Sequence, residues 1–299
     1  MTTIMTENNL RIGPAGIPTN QFRKEYEVLI DNCKNNGFTA LELEFLNIKD
    51  IFLYPDPQDL IELNLLAKKY NIKLSIHAPY YINLASNNPN IIKNSFNHLL
   101  KTLNVSKSLN CPVVFHAGFY QKESKHKSVL NVIDNLKKFR KHLKNNTNLN
   151  LKRLFIETPG KFTAVGTIEE LIEIAKVSNC LICIDWAHLY AKNPSKITKN
   201  NIVSLIKKIE NELEMDYFHM HISGIKRNRN GEIKHIPFIK SFFPLDIVIN
   251  TLKEIGIKGT LICESPNRFK NDTNYLLSLY KTGKLPFSKL KKLDDFIAL

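Results

Sequence analysis

The sequence predicts an α/β fold, a single-domain (β/α)8 barrel, on three observations. Short apolar runs of strand type alternate with longer stretches of helical period; there are eight such runs; and most are apolar on both faces, as buried parallel strands are. The length of 299 residues fits, since α/β barrels routinely use about 250 residues as one domain.

The first strand is LRIGPAG (10–16). GPAGIP (13–18) has two glycines three apart and reads as a tight turn between strand and helix, a weak match to a dinucleotide fingerprint. TALELEF (39–45) follows, with Glu42 and Glu44 on one face as hydrogen-bonding groups of the barrel interior. The third strand, IKLSIH (72–77), turns at Pro79 and leads to an amphipathic stretch at 94–109. PVVFH (112–116) precedes the helical pattern 129–144, RLFIE (153–157) precedes 168–178, and LICID (181–185) precedes 201–213. YFHMHI (217–222) is followed by a long loop containing NRNGEIKHIPF (228–238) and a helix at 246–256, and TLICE (260–264) is the eighth strand. The barrel spans 10–282, with 1–9 read as a flexible N-terminus and 283–299 as an appended tail.

The formal charge of +14 comes from 35 lysines and seven arginines, beside 34 asparagines. That composition is what an AT-rich genome supplies, so the charge permits a nucleic-acid partner without demonstrating one. The five cysteines form no spaced framework; Cys180 and Cys183 face opposite sides of a strand and read as reduced core thiols. No apolar run approaches about 18 residues and the N-terminus lacks a signal-peptide core, so a cytoplasmic protein with no membrane partner is expected.

The chemistry lies in how the strands end. In this architecture the C-terminal strand ends form the active-site mouth. Strands three to eight end in His77, His116, Glu157, Asp185, His221 and Glu264. Three carboxylates and three imidazoles converging there carry a burial cost of several kcal/mol per uncompensated charge, which a divalent cation removes. His188, three residues after Asp185, and His235, in the loop after strand seven, can face the same mouth. Nitrogen and carboxylate donors without thiolate suit zinc, and also manganese or iron. Eight candidate ligands exceed one tetrahedral site and point to two or three ions. His219 shares the face of His221 as an inner-barrel residue, whereas His98, His126 and His142 read as solvated.

SIHAPYYINLAS, VFHAG, FIETPGK, CIDWAHLYA, HMHIS, IKHIPF and ICESPN, in this order and spacing, resemble endonuclease IV, the zinc-dependent apurinic/apyrimidinic DNA endonucleases of the xylose-isomerase-like TIM barrel superfamily. The resemblance covers about residues 10–280 and implies three zinc ions. His77, His116 and Glu157 would hold the first. Glu157 would bridge to a second, shared with Asp185, His221 and Glu264, and His188 and His235 would serve the third. It further implies hydrolysis 5′ to abasic sites in damaged double-stranded DNA, by a water that the metals activate, in a protein expected to be monomeric. Tyr80 would stack near the lesion. The chain departs from the family at several points. Ile233 stands where the family has an aspartate, with Glu232 adjacent; PFIKSFFPL replaces a Gly-Glu-Gly stretch; Trp186-Ala187 replaces Thr-Cys; Ser223-Gly224 replaces Asn-Asp; and the loop LNIKDIFLYPDP lacks basic, DNA-penetrating character.

The alternative is a single-metal sugar isomerase or epimerase of the same superfamily. There Glu157, Asp185, His221 and Glu264 would hold one ion, with Glu157 and Glu264 as catalytic acid and base. The tail LKKLDDFI (290–297) resembles a sliding-clamp-binding peptide, without its usual leading glutamine.

Overall fold

The computed structural model describes residues 9–16, 22–44, 57–122, 124–146 and 153–284. The N-terminus before residue 9, most of the loop after the second strand and the clamp-like tail lie outside the described residues. The barrel strands are β1 (Leu10–Gly16), β2 (Ala40–Glu44), β3 (Lys73–His77), β4 (Val113–Phe115), β5 (Leu154–Glu157), β6 (Leu181–Asp185), β7 (Phe218–Ile222) and β10 (Gly259–Cys263). They close as β1-β10-β7-β6-β5-β4-β3-β2, every pair parallel. Nine helices among the described residues pack outside: α1 (Phe22–Asn36), α2 (Pro57–Lys69), α3 (Pro89–Leu109), α4 (Lys125–Asn146), α5 (Ile168–Ser178), α6 (Trp186–Lys192), α7 (Lys199–Leu213), α8 (Leu245–Glu254) and α9 (Thr273–Thr282). None is long and apolar enough to cross a membrane.

The sequence sets the helix ends locally. Thr167 and Glu170 form a capping box at the start of α5, and Asn88 caps α3 ahead of Pro89. Asn110 and Asn179 end α3 and α5 in the left-handed conformation that asparagine tolerates better than most residues. All five cysteines are free and buried.

Two expectations are corrected. The segment after β7 is an antiparallel hairpin, β8 (Gly224–Asn228) and β9 (Gly231–Ile236), not an open loop. Its strands are short and polar, so no apolar alternation marks them; Asn230-Gly231 at the turn is the one local signal. His98 is half-buried on α3 rather than solvated, and burial lowers its pKa.

Candidate metal centre

Parallel register brings the strand ends to one level. Asp185 pairs with His221, Glu157 with Cys183, and Glu44 with His77. His116 and Glu264 follow directly on β4 and β10, and His188 stands in the first turn of α6. All eight predicted ligands therefore meet in one place. Six of them, all but the more deeply buried Asp185 and His221, line a cavity of about 330 Å³ together with residues that include Glu44, Tyr80, Glu232 and Arg268.

Glu157 is the centre of this cluster. One of its oxygens, Oε2, lies 2.9 Å from His77 Nε2 and 3.3 Å from His116 Nε2. The other, Oε1, lies 3.3 Å from His221 Nδ1 and 3.2 Å from His188 Nδ1. His221 Nδ1 is also 3.3 Å from Glu264 Oε1. Among the donor sets close enough to hold a cation are His77, His116 and Glu157; Glu157, Asp185, His221 and Glu264; and Asp185, His188 and His235.

Tautomers follow from the carbonyls that face the rings. His77 Nδ1 lies 2.8 Å from Ala78 O and His188 Nδ1 lies 2.9 Å from Thr158 O. A carbonyl only accepts, so each Nδ1 carries a proton, and each Nε2, facing the mouth, is the nitrogen that would bind a cation on giving up its own proton. Asp185 divides its work: Oδ1 accepts from His188 N at 2.6 Å, capping α6, while buried Oδ2 accepts no hydrogen bond and has His188 Nδ1 3.5 Å away. A buried carboxylate oxygen without a hydrogen bond is costly, and a cation would satisfy it. The residues thus fit divalent metal.

Burial and neighbouring charges pull these groups in opposite directions. Burial opposes charge on His77, but the bonded Glu157 carboxylate outweighs it and lifts the imidazole to about 9. His116 is held down to about 3, because burial dominates the opposing pull of Glu157 and neighbouring imidazoles add repulsion. Burial works against Glu157 as well, yet the surrounding histidines keep its carboxyl well below the usual range. Glu264 is pushed up by burial.

Beneath the mouth, Glu42 reaches His221 Nε2 at 2.9 Å and His219 Nε2 at 2.9 Å, and accepts from Ser75 Oγ at 2.8 Å. Glu42 thus stands behind His221 while His221 Nδ1 faces the cluster, the place of an outer carboxylate behind a candidate ligand, although this pair lacks hydrogen-bond geometry. The sequence reading placed Glu42 inside the barrel without this orienting role. Glu44 pairs with Arg268 at 3.1 Å. Tyr80 is 44% exposed at the rim, edge-on to His116 with 5.1 Å between ring centroids. His219 stays below the mouth, against Glu42.

A model of the xylose isomerase-like TIM barrel family matches residues 30–279. The chain belongs to that family. The chain is 34% identical to the uncharacterized protein MJ0133 of Methanocaldococcus jannaschii, covering 86% of this chain and 92% of that one. It is 27% identical to a probable endonuclease 4 of Persephonella marina over 38% of this chain and 41% of that one. Endonuclease IV from Thermus thermophilus shares the fold with a TM-score of 0.68 at 15% identity, covering 91% of this chain and 98% of the other. D-psicose 3-epimerase from Clostridium cellulolyticum does so with a TM-score of 0.63 at 14% identity, covering 90% and 98%. Such a barrel serves both phosphodiester hydrolysis and sugar epimerisation, so function has to be argued from the site.

Proposed function

We propose that the protein is a metal-dependent apurinic/apyrimidinic endonuclease of the endonuclease IV type, cleaving DNA 5′ to abasic sites in repair. The observation that carries this reading is the division of Glu157. One oxygen faces His77 and His116 and the other faces His221, the arrangement of a carboxylate shared between two cations. A single-metal site has no need of His77 and His116. In this reading His77, His116 and Glu157 hold one ion, and Glu157, Asp185, His221 and Glu264 a second. Bound divalent ions would neutralise the scissile phosphate and lower the pKa of a water toward about 7.

The chain's own surface supports the substrate class. Lys226, Arg229 and Lys234 are exposed on the hairpin that carries His235, where they can meet phosphates. Lys161 Nζ lies 5.9 Å from the Tyr80 ring centroid, so a cation and a stacking surface stand together at the rim. The part-length similarity to a probable endonuclease 4 points the same way.

A second reading has its own observation. Glu157, Asp185, His221 and Glu264 alone form a close set for one ion, and their two glutamates could exchange a proton beside a sugar carbonyl. Strand incision on a duplex with one central tetrahydrofuran abasic analogue separates the two. Cleavage 5′ to the analogue, abolished by chelator and restored by zinc or manganese, is expected. An intact duplex with metal-loaded protein, together with turnover of a ketose, would overturn the nuclease reading.

A further inference from the structure

We infer that Glu232 supplies the carboxylate ligand of a third ion, with His188 and His235, and that a β-bulge in the hairpin delivers it. This rests on the reading above, that the mouth holds several divalent ions.

The register of β8 and β9 carries the first part. Ile225 pairs with His235, Lys226 with Lys234, and Arg227 with Glu232, so Ile233 is an extra residue without a cross-strand partner. On β8, residues 225 and 227 share a face; their partners His235 and Glu232 therefore share one too, although three positions apart. In a regular strand Glu232 would point away and Ile233 would take its place beside His235. The bulge reverses this, which is how bulges beside active sites re-aim side chains. Ile233 is 44% exposed.

The donor atoms carry the second. His188 Nε2 lies 3.3 Å from His235 Nε2 and 3.4 Å from Glu232 Oε2, and Glu232 Oε1 lies 3.9 Å from His235 Nε2. Ligands about 2.0–2.1 Å from a tetrahedral zinc stand roughly 3.3 Å apart; the two histidine nitrogens and the His188–Oε2 pair meet that spacing, while Glu232 faces His235 with its other oxygen, farther off.

The neighbouring loop is shaped for Glu232. Its backbone N–H donates to Gly160 O at 2.9 Å. A β-carbon on residue 160 would fall 2.5 Å from Glu232 Oε2 and 2.7 Å from His188 Cδ2, so only glycine leaves the carboxylate in place.

The test counts ions. Metal-free full-length protein is refilled with zinc and its ions per folded chain are counted by native mass spectrometry, for wild type, Glu232→Gln and Gly160→Ala. Glu232→Gln keeps the side-chain volume and removes the charge; Gly160→Ala leaves both donors in the chain but crowds the Glu232 side chain and the His188 ring. Each variant is expected to lose one ion per chain relative to wild type. An unchanged count, with unchanged affinity for the last ion, would overturn the assignment. Ion loss in the variants with no incision by wild type would leave Glu232 a ligand and sink the nuclease reading; incision with an unchanged count would do the reverse.

Discussion

The strand-borne donors and the hairpin-borne donors reach one mouth by different routes. His77, Glu157, Asp185 and His221 sit on strands locked by parallel pairing on both sides, and all four are buried. Glu232 and His235 sit on a two-stranded hairpin outside the barrel, partly exposed, and their shared face depends on one extra residue. Ions held by the strands would be placed by the whole fold. An ion held by the hairpin would be placed by a local irregularity and a glycine, and would be the one a small change can remove.

The largest test of this contrast is Glu157→Ala, which takes a ligand from both strand-borne sites. Metal charge stabilisation is worth several kcal/mol, so incision should fall by roughly 10³-fold or more, with ion content reduced. Retained incision would dissolve the distinction. Next comes a paired measurement: His77→Ala should lose more incision than Glu232→Ala, because it strips a buried strand donor. The opposite ranking would show that the hairpin, and not the barrel, carries the chemistry.

Smaller effects sharpen the picture. Glu42→Gln weakens the carboxylate behind His221, and zinc titration should show affinity lower by about 10- to 100-fold. Unchanged affinity would mean that Glu42 serves only the barrel interior. Tyr80→Ala should weaken binding of an abasic duplex by roughly fivefold, near the lower end of base-stacking energies, with no change in ion count. A changed count would place Tyr80 in the metal site's support instead.

The same contrast explains what the sequence made legible. Strand-end His, Glu and Asp could be read because the strands are apolar and the barrel fixes where they point; β1, β6 and the six convergent ends stand where they were expected. β8 and β9 could not, because KRNRNGEIK has the composition of a loop and a bulge leaves no period to read. The position of Glu232 follows from that bulge, so the residue next to Ile233 could be named without its direction being known. Glu42 was legible as buried but not as an orienting group, since its partners His219 and His221 lie about 180 residues away in the chain.

Zinc-edge anomalous diffraction from crystals of the zinc-loaded protein tests the bridging role of Glu157 most directly. At least two peaks are predicted, with the Glu157 carboxylate between them: one against His77 and His116, the other against Asp185, His221 and Glu264. A single peak enclosed by Glu157, Asp185, His221 and Glu264, with none beside His77 and His116, would contradict the multi-ion site and favour the epimerase.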